Sequence, residues 1–319
     1  MEYAASVIAF ALIYAICAIA DNCALGYSGQ FAISQGAFFG VGAYTYGIGT
    51  LHGLSQPEAI ALAVVIGGGG GAGLSFLGRG LRGDYFMVVT LAFQIIAVGV
   101  ASNLSITGGS IGLYGLRSLS VFGFQPRFYT QWVEVLAPIT FVVWILYAAL
   151  TSTRLGLIWK AIREDDAAAM SLGRSTTLYK MLALGLGAAG TSFAGAIYGG
   201  YIAFIEPNQF TFTFSIFIVS ILIVGGMANP LGPIVGAVLL TGLPEALRQI
   251  PSLPVDTRAR LLQVIYGAAL LAIVAFRPQG IVPERPGRWS VASWRWRLRS
   301  RRVGETQGGA LGSGPGGTP

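Results

Sequence analysis

Apolar runs of near membrane-spanning length recur along the whole chain. A bilayer core about 30 Å thick is crossed by roughly 20 helical residues, and most of the runs approach that length. They occupy residues 3–20, 31–51, 59–77, 85–101, 132–150, 181–205, 212–227, 231–243 and 261–276. The run at 231–243 is short and fits either a span or a re-entrant segment. We therefore expect an all-α, polytopic integral membrane protein with eight to nine transmembrane helices.

The composition supports lipid as the main solvent of the chain. Hydrophobic residues make up 54% of the sequence and charged residues only 10%, whereas soluble domains carry about 25% charged residues. The first run ends in Ala18, Ile19 and Ala20, which resembles a signal-peptidase site. Its start, however, carries Glu2 and neither Lys nor Arg, unlike a signal peptide. We expect this run to remain in the protein as a span.

The apolar runs lack the residues that chemistry inside a membrane requires. Four acidic residues, Asp21, Asp84, Glu134 and Glu245, stand at or close to the ends of runs. A proton-coupled carrier would need a carboxylate or histidine in mid-membrane, and an intramembrane protease would need paired Asp, a Ser/His pair or a metal site. Neither pattern is present in the sequence, and we predict no catalytic residue.

The sequence also lacks the patterns of metal and nucleotide sites. Cys17 and Cys23 have no partners at ligand spacing, and the single histidine, His52, stands at the end of a run. Neither of the two lysines, Lys160 and Lys180, follows a glycine as the phosphate-binding pattern G-x-x-x-x-G-K-[ST] requires. We predict no metal and no cofactor on this chain, so any active transport has to be powered by something else.

Basic residues predict the orientation of the spans. Arg79 and Arg82 fill one short loop, residues 154–180 carry a second basic cluster, and residues 277–302 carry a third. Counting runs places all three on one side, which is the cytoplasm because short cytoplasmic loops are rich in Lys and Arg. Nine spans then put the N-terminus and residues 102–131 outside.

We expect three parts along the chain. Residues 1–283 form the membrane domain, with a cytoplasmic loop at 151–180. Residues 284–302 interleave Trp with Arg (SWRWRLRSRR), which suits the headgroup layer and anionic lipid; a nucleic-acid patch is the alternative, and we expect no nucleic acid. Residues 303–319 offer too little apolar surface to fold and are predicted to be disordered.

Glycine spacing hints at close helix packing and at an internal repeat. Glycines four residues apart in the 67–73 stretch form small-xxx-small pairs, Gly67 with Gly71 and Gly69 with Gly73, which let helix backbones approach closely in lipid. A spacing of seven and four recurs in two triplets: Gly29, Gly36 and Gly40, and Gly225, Gly232 and Gly236. Duplicated transporter halves would produce this recurrence; with 46 glycines in the chain, coincidence is the alternative.

The densest charge in the chain is the stretch WKAIREDDAAAMSLGR at 159–174. Helical spacing places its apolar residues near one face and its charged and small residues around the other. The apolar face comprises Ile158, Ile162, Ala169 and Leu172, and the opposite face comprises Lys160, Arg163, Glu164 and Ala167. We predict a short helix that rests on the membrane domain and presents charges and alanines to a partner. A solvated loop that merely sets topology is the alternative.

The stretch EDDAAAMSLG at 164–173 resembles the EAA loop of ABC importer permeases, in the variant of the branched-chain amino acid permease family. Further stretches resemble the same family in the same order: residues 26–44, 82–93, 104–115, 225–240 and 276–281. The likeness covers most of residues 20–281 and is closest to the M-type permease subunit. The basic tail departs from the family, as does Met227-Ala228-Asn229, where a Gly-rich turn is expected.

The resemblance implies a permease subunit of a binding-protein-dependent ABC importer in the bacterial inner membrane. Its implied partners are a second homologous permease, two cytoplasmic ABC ATPases, an extracytoplasmic substrate-binding protein and the lipid bilayer. The residues that correspond to the ATPase-coupling loop are Arg163, Glu164, Asp165, Ala168 and Gly173. Branched-chain or other hydrophobic amino acids are the implied cargo. Alternatives are a related importer for urea or short amides and an uncoupled channel or facilitator.

Polar and flexible positions in or beside the runs are candidates for the translocation pathway. These candidates are Gln30, Gln35, Gln94, Thr107, Gly108 and Gly109. The last three follow a span and combine a flexible backbone with a hydroxyl, so we expect them at the outer mouth. The polar side chains could equally form hydrogen bonds between helices.

Overall fold

A computed structural model describes residues 2–81, 83–120, 125–126, 128–248, 267 and 280–284. Three predictions fall on other parts of the chain. The predicted span at 261–276, apart from Gly267, and the predicted segments 284–302 and 303–319, apart from Glu284, lie outside the described residues.

The described residues fold almost entirely into helices. The α-helices are α1 Glu2–Asp21, α2 Gln35–Leu51, α3 Gln56–Leu77, α4 Asp84–Asn103, α5 Tyr129–Ser152, α6 Arg154–Glu164, α7 Asp166–Ser171, α8 Thr176–Ile202, α9 Phe212–Gly225 and α10 Gly232–Arg248. A π-helix spans Cys23–Tyr27, and 3-10 helices span Ser105–Thr107, Gly109–Ile111 and Pro207–Phe210. Strands β1 Leu113–Tyr114 and β2 Phe204–Ile205 form a short antiparallel pair.

Among the described residues, six helical segments are long enough and apolar enough to cross a membrane. They are Glu2–Tyr27, Gln56–Leu77, Asp84–Asn103, Tyr129–Ser152, Thr176–Ile202 and Pro207–Gly225. The predicted class, a helical polytopic membrane protein, is thereby confirmed. Helices α2 and α10 have 17 residues each, so the count of eight to nine spans stays a prediction.

The first span is longer than the sequence predicted. It continues from α1 through the π-helix Cys23–Tyr27, and Asp21 is therefore inside it and 4% exposed. The placement of Asp21 at a span end was wrong. Hydropathy marks the run's end at the first acidic residue, whereas here the side chain of Gln35 donates a hydrogen bond of 2.9 Å to Asp21 Oδ2 and keeps the carboxylate buried.

Small residues hold the centre of the bundle together. Helix α8 packs along α3, α2 and α1. A Cβ added at Gly67 or Gly71 of α3 would collide with Ser192 or Ala188 of α8, so the first predicted small-xxx-small pair is confirmed as a helix contact. Around Gly69 and Gly73 there is open space within 4 Å among the described residues.

The two glycine triplets of the suggested repeat make different contacts. Gly36 and Gly40 approach Phe210, and Gly29 approaches Arg163. The second triplet instead packs within the α9–α10 hairpin, where a Cβ at Gly225 would meet the Gly232 carbonyl. The shared spacing thus has two structural causes, and the internal repeat stays a prediction.

Helix α3 separates two ends of the bundle. At its start, Ser55 and Glu58 form a capping box, with the Ser55 N–H donating to Glu58 Oε2 at 2.9 Å, and Gln56 donates to the Ser118 carbonyl at 2.8 Å. At its finish, the turn at 78–83 lines a cleft shared with residues 162–167. Because 22 helical residues span roughly 33 Å, these are opposite ends. We call them the loop end (residues 105–120) and the charged end (residues 154–180).

Candidate functional site

The predicted helix at the charged end is two helices. Helix α6 ends and α7 begins around Asp165, which has extended backbone angles of φ −154° and ψ 105°. Its Oδ1 accepts hydrogen bonds from the N–H groups of Ala167 at 2.9 Å and Ala168 at 3.0 Å. The prediction of one continuous helix was wrong because Asp is a strong N-cap residue. Two Asp residues followed by three alanines are the sequence signal for such a start.

The break changes which residues are exposed. Trp159, Ile162 and Ala169 are buried, as an apolar face requires. Leu172, which was predicted on the same face, is 81% exposed, and Met170 is 46% exposed. The assignment of Leu172 to the buried face was wrong, because α7 ends at Ser171 and Leu172 follows it as the C-cap.

Two contacts attach the charged end to α8. Trp159 Nε1 donates to the Tyr179 carbonyl at 2.8 Å. Lys180 and Asp166 form an ion pair of 2.6 Å. Sequence reasoning did not assign a role to Lys180; the only available signal was that it is one of two lysines in the chain.

Two cations of α6 reach the π-helix in the first span. Arg163 Nη1 donates to the Gly26 carbonyl at 2.6 Å, and Lys160 Nζ lies 5.2 Å from the centre of the Tyr27 ring. Arg163 also packs on Gly29, where a Cβ would meet its side chain at 2.6 Å. Arg163 therefore connects two parts of this chain. The other predicted coupling residues, Glu164, Asp165, Ala168 and Gly173, are exposed.

The π-helix also contacts the α9–α10 turn. Asn22 Nδ2 donates to the Asn229 carbonyl at 3.1 Å, and Asn22 Oδ1 accepts from the Ala228 N–H at 3.0 Å. Ala228 adopts a left-handed φ of 54°, in the turn where a glycine-rich sequence was expected. Sequence reasoning missed Asn22, although an amide beside an apolar run was a usable signal. π-Helices are rare and concentrate at functional sites.

Gln30 lies beside the charged end and is fully engaged. Its Nε2 donates to Ser28 Oγ at 2.9 Å and to the Lys180 carbonyl at 2.8 Å, and its Oε1 accepts from Ser75 Oγ at 3.0 Å. It lines the open cleft of about 390 Å³ between residues 28–31, 78–83 and 162–167. Gln30 thus stabilises the non-helical stretch after the π-helix.

Gln94 forms a hydrogen bond with the backbone at the start of α2. It is completely buried, and its Oε1 accepts from the Ala37 N–H at 2.6 Å and from Ser215 Oγ at 3.2 Å. Its Nε2 donates to the Phe210 carbonyl. The first N–H groups of a helix lack partners within the helix. Gln94 provides such a partner for α2, and it also bonds the Phe210 carbonyl, in the protein interior. Gln94 was a candidate either for the translocation pathway or for hydrogen bonds between helices, and its geometry matches the hydrogen bonds between helices.

Gln35 differs from the other two glutamines in having a spare acceptor. Its Nε2 donates to Asp21 Oδ2 and to the Ala32 carbonyl, each at 2.9 Å. Its Oε1 is buried and has no hydrogen-bond partner among the described residues. Gln35 and Gln94 therefore both lie at the start of α2 with different hydrogen-bond partners, whereas Gln30 lies beside the charged end.

Thr107, Gly108 and Gly109 form the turn after α4 at the loop end. Thr107 Oγ1 donates to the carbonyls of Ala101 at 2.6 Å and Leu104 at 2.7 Å. Gly108 and Gly109 have left-handed φ angles of 76° and 61°. The chain then runs into β1, which pairs with β2 before the Pro207–Phe210 turn. Thr107 lines an apolar cavity between α2 and α4, and the structure brings this predicted mouth together with that turn.

Comparisons with known proteins agree with the resemblance noted from the sequence. The family model described as branched-chain amino acid transport system / permease component matches residues 3–274. The high-affinity branched-chain amino acid transport system permease protein LivM of Salmonella typhimurium is 30% identical over 297 residues, which cover 85% of this chain and 68% of that protein. LivM of Escherichia coli K12 is 29% identical over the same shares.

A more distant relative is the probable branched-chain amino acid transport permease protein LivM of Methanocaldococcus jannaschii, 27% identical over 241 residues, with 72% of this chain and 68% of that protein covered. No solved structure matches the chain significantly. The match of the family model extends over most of the sequence, including the charged end and the π-helix. The chain is therefore a member of the permease family of branched-chain amino acid transport systems.

Proposed function

We propose that this protein is a permease subunit of a binding-protein-dependent ABC importer in the bacterial inner membrane. It carries branched-chain or other hydrophobic amino acids and catalyses no reaction itself. Its partners are a second homologous permease, two cytoplasmic ATPases and an extracytoplasmic substrate-binding protein. Relatives named as permeases of branched-chain amino acid transport systems support this proposal.

The orientation follows from the two ends of the bundle. The charged end faces the cytoplasm because the basic residues of short loops favour that side. Asn229, whose carbonyl accepts from Asn22, donates through its Nδ2 to the Pro283 carbonyl at 2.9 Å, so residues 280–283 lie at the charged end. Tyr3 bonds Glu245 at the far end of α1. A ninth crossing by the predicted span at 261–276, which lies outside the described residues, stays a prediction.

The single observation that carries the proposal is the exposed surface of α7. On the side of the protein that faces water, α7 and its C-cap residue Leu172 present Met170 and Leu172 together with Ala167 and Ala168. Apolar side chains grouped on a water-facing surface mark a protein contact. The small alanines let a partner surface close around the helix. A passive facilitator would have no use for such a surface.

Contacts of α6 and α7 with α8 and the π-helix can transmit a displacement of α7 to the membrane domain. The Lys180–Asp166 ion pair holds α7 to α8, and Arg163 and Lys160 hold α6 to the π-helix. ATP-driven closure of the ATPases would displace this assembly as a unit, and the π-helix, which interrupts the first span, is the element that can rearrange.

The test is Ala168→Arg in the complete complex. Ala168 is exposed, so the variant should insert and accumulate normally. Burying an unpaired charge in the ATPase contact costs several kcal/mol, so we expect lost co-purification of the ATPase and lost uptake. Ala168→Ser, which adds no charge, should behave as wild type.

Gly80→Arg provides the charge control, because Gly80 is exposed and its surroundings are open within 4 Å among the described residues. Gly173 is less suitable for charge insertion, since its φ of 75° makes any side chain strain the backbone. Wild-type ATPase binding and uptake in Ala168→Arg would remove the main physical support for the proposed function.

A further inference from the structure

A mostly apolar cavity of about 350 Å³ lies between α2 and α4 near the loop end. It exists because small residues face one another across it: Gly36, Ala37 and Gly40 on α2, and Ala97 and Ala101 on α4. The segment around Pro207 and Phe210 also lines it. Its volume is within the range of roughly 300–1,000 Å³ that is typical of small-molecule sites.

One polar group in the cavity lining lacks a partner. Tyr44 is 7% exposed, and its hydroxyl has no hydrogen-bond partner among the described residues. The other hydroxyl in the lining, Thr107 Oγ1, is already bonded to two carbonyls. A buried hydroxyl without a partner is costly, which points to a group that completes it during function.

A carboxylate residue, Glu206, directly precedes Pro207 of the cavity lining. Glu206 begins the link between β2 and α9 and is half-buried. It interacts electrostatically with the hydroxyls of both Tyr44 and Tyr198. The glycine-rich loop at the loop end fixes its position, because a Cβ at Gly112 would lie 2.9 Å from the Glu206 Cα. Sequence reasoning overlooked Glu206, which occupies a short link between two apolar runs.

We infer that this cavity binds the transported amino acid within the chain, with the apolar side chain between α2 and α4, the ammonium group at Glu206 and the carboxylate accepting from the Tyr44 hydroxyl. The inference rests on the proposed function, whose cargo it places at named residues. A lipid acyl chain would fill the apolar part but leave both the Tyr44 hydroxyl and Glu206 without a ligand group. A zwitterion with an aliphatic side chain satisfies all three features.

The Tyr44→Phe substitution separates a ligand contact from a structural one. It removes a hydroxyl without a partner among the described residues, so the protein without ligand should be at least as stable as wild type. The full-length chain in nanodiscs is heated with increasing leucine, and the rise in unfolding temperature gives the affinity. We expect about tenfold weaker leucine binding, since losing one hydrogen bond to a charged group is worth roughly that factor. Glu206→Gln should weaken leucine binding by a similar factor.

The chain offers matched controls. Tyr201 also has a buried hydroxyl with no partner among the described residues, and it lies outside the lining of the cavity, so Tyr201→Phe should bind leucine as wild type does. Glu134→Gln neutralises an exposed carboxylate on α5 and serves the same purpose for Glu206.

A third variant tests the apolar part. Ala97→Leu narrows the cavity and should weaken leucine binding about tenfold more than alanine binding, whereas Ala92→Leu on the exposed face of α4 should change neither. Equal leucine affinity in wild type, Tyr44→Phe and Glu206→Gln would overturn the inference, as would the absence of any leucine-dependent shift. Failure of the proposed function is recognised separately, by a wild-type chain that neither binds an ATPase nor supports ATP-driven uptake.

Discussion

Gly108 and Gly109 share a left-handed backbone but have different surroundings. A Cβ at Gly108 would collide with the Gly112 carbonyl, whereas at Gly109 the nearest atom, the Ser102 carbonyl oxygen, is 3.6 Å away. Position 108 therefore requires glycine both because of its φ angle and because of its packing. Position 109 requires glycine because of its φ angle alone. The distinction decides where the predicted outer mouth can be probed without disturbing the fold.

We predict that Gly108→Ala destabilises the protein clearly more than Gly109→Ala does. A left-handed backbone costs a residue with a Cβ about 1–2 kcal/mol, and this cost applies to both variants. The steric clash adds to it at Gly108 alone. Thermal unfolding of the two purified variants in the same detergent measures the difference. Equal destabilisation would mean that the 108–112 turn relaxes freely, and bulky replacements at the mouth would then be informative at both positions.

For single residues, the sequence indicated which polar side chains are important more often than it indicated their role. Gln30, Gln35 and Gln94 were chosen because they are polar near apolar runs, and all three are buried. Their partners include groups far away in sequence, such as the Lys180 carbonyl for Gln30 and the Phe210 carbonyl for Gln94. Periodicity and spacing carry no information on such pairs. Tyr44 and Glu206 were missed for the same reason, since only the fold brings them together.

At the scale of elements, the apolar runs predicted the long helices well, whereas the breaks between helices were not predictable. Residues 28–34 leave the helical conformation, although the predicted run begins at residue 31. The break is stable because the Ile33 N–H bonds Thr90 Oγ1 and the Gly36 N–H bonds Ser215 Oγ, each at 2.9 Å. Since lipid offers no partner for free backbone groups, these distant side chains determine where the helix can be interrupted.

Helix α7 yields a prediction at this scale, because it has only six residues and depends on its cap. Replacing an Asp N-cap by Ala costs about 1 kcal/mol, so Asp165→Ala should make the amides of α7 exchange with solvent roughly fivefold faster. Asp165→Asn should preserve most of the protection because Asn also caps. Hydrogen exchange followed by mass spectrometry reads this segment directly.

Glu164→Ala is the matched control for the cap, since Glu164 is an exposed neighbouring carboxylate that makes neither of the two capping bonds. If Asp165→Ala and Glu164→Ala exchange at the same rate, the Asp165 cap does not hold α7 in place. The weaker anchoring expected in Asp165→Ala should also reduce ATPase coupling without reducing membrane insertion.

At the scale of the whole molecule, the sequence and the structure constrain orientation in different ways. The positions of Lys and Arg assign a side to each loop, and the helix bundle shows which loops share an end. Residues 280–283 and the charged end meet through Asn229, Asn22 and the π-helix. The 105–120 loop bonds the start of α3 at the opposite end. The basic residues and the contacts at the two ends support the same arrangement.

Labelling of single cysteines tests this arrangement in cells. Cys17 and Cys23 are 0% and 1% exposed and can be replaced by alanine to give a background without reactive thiols. In that background we expect Ser110→Cys, at the loop end, to react with an impermeant maleimide in intact cells. Ser171→Cys, on α7, should react only in inverted vesicles or after permeabilisation. Both serines are exposed, so accessibility within the protein does not bias the comparison. Labelling of Ser171→Cys in intact cells would reverse the orientation and place α7 out of reach of any cytoplasmic ATPase.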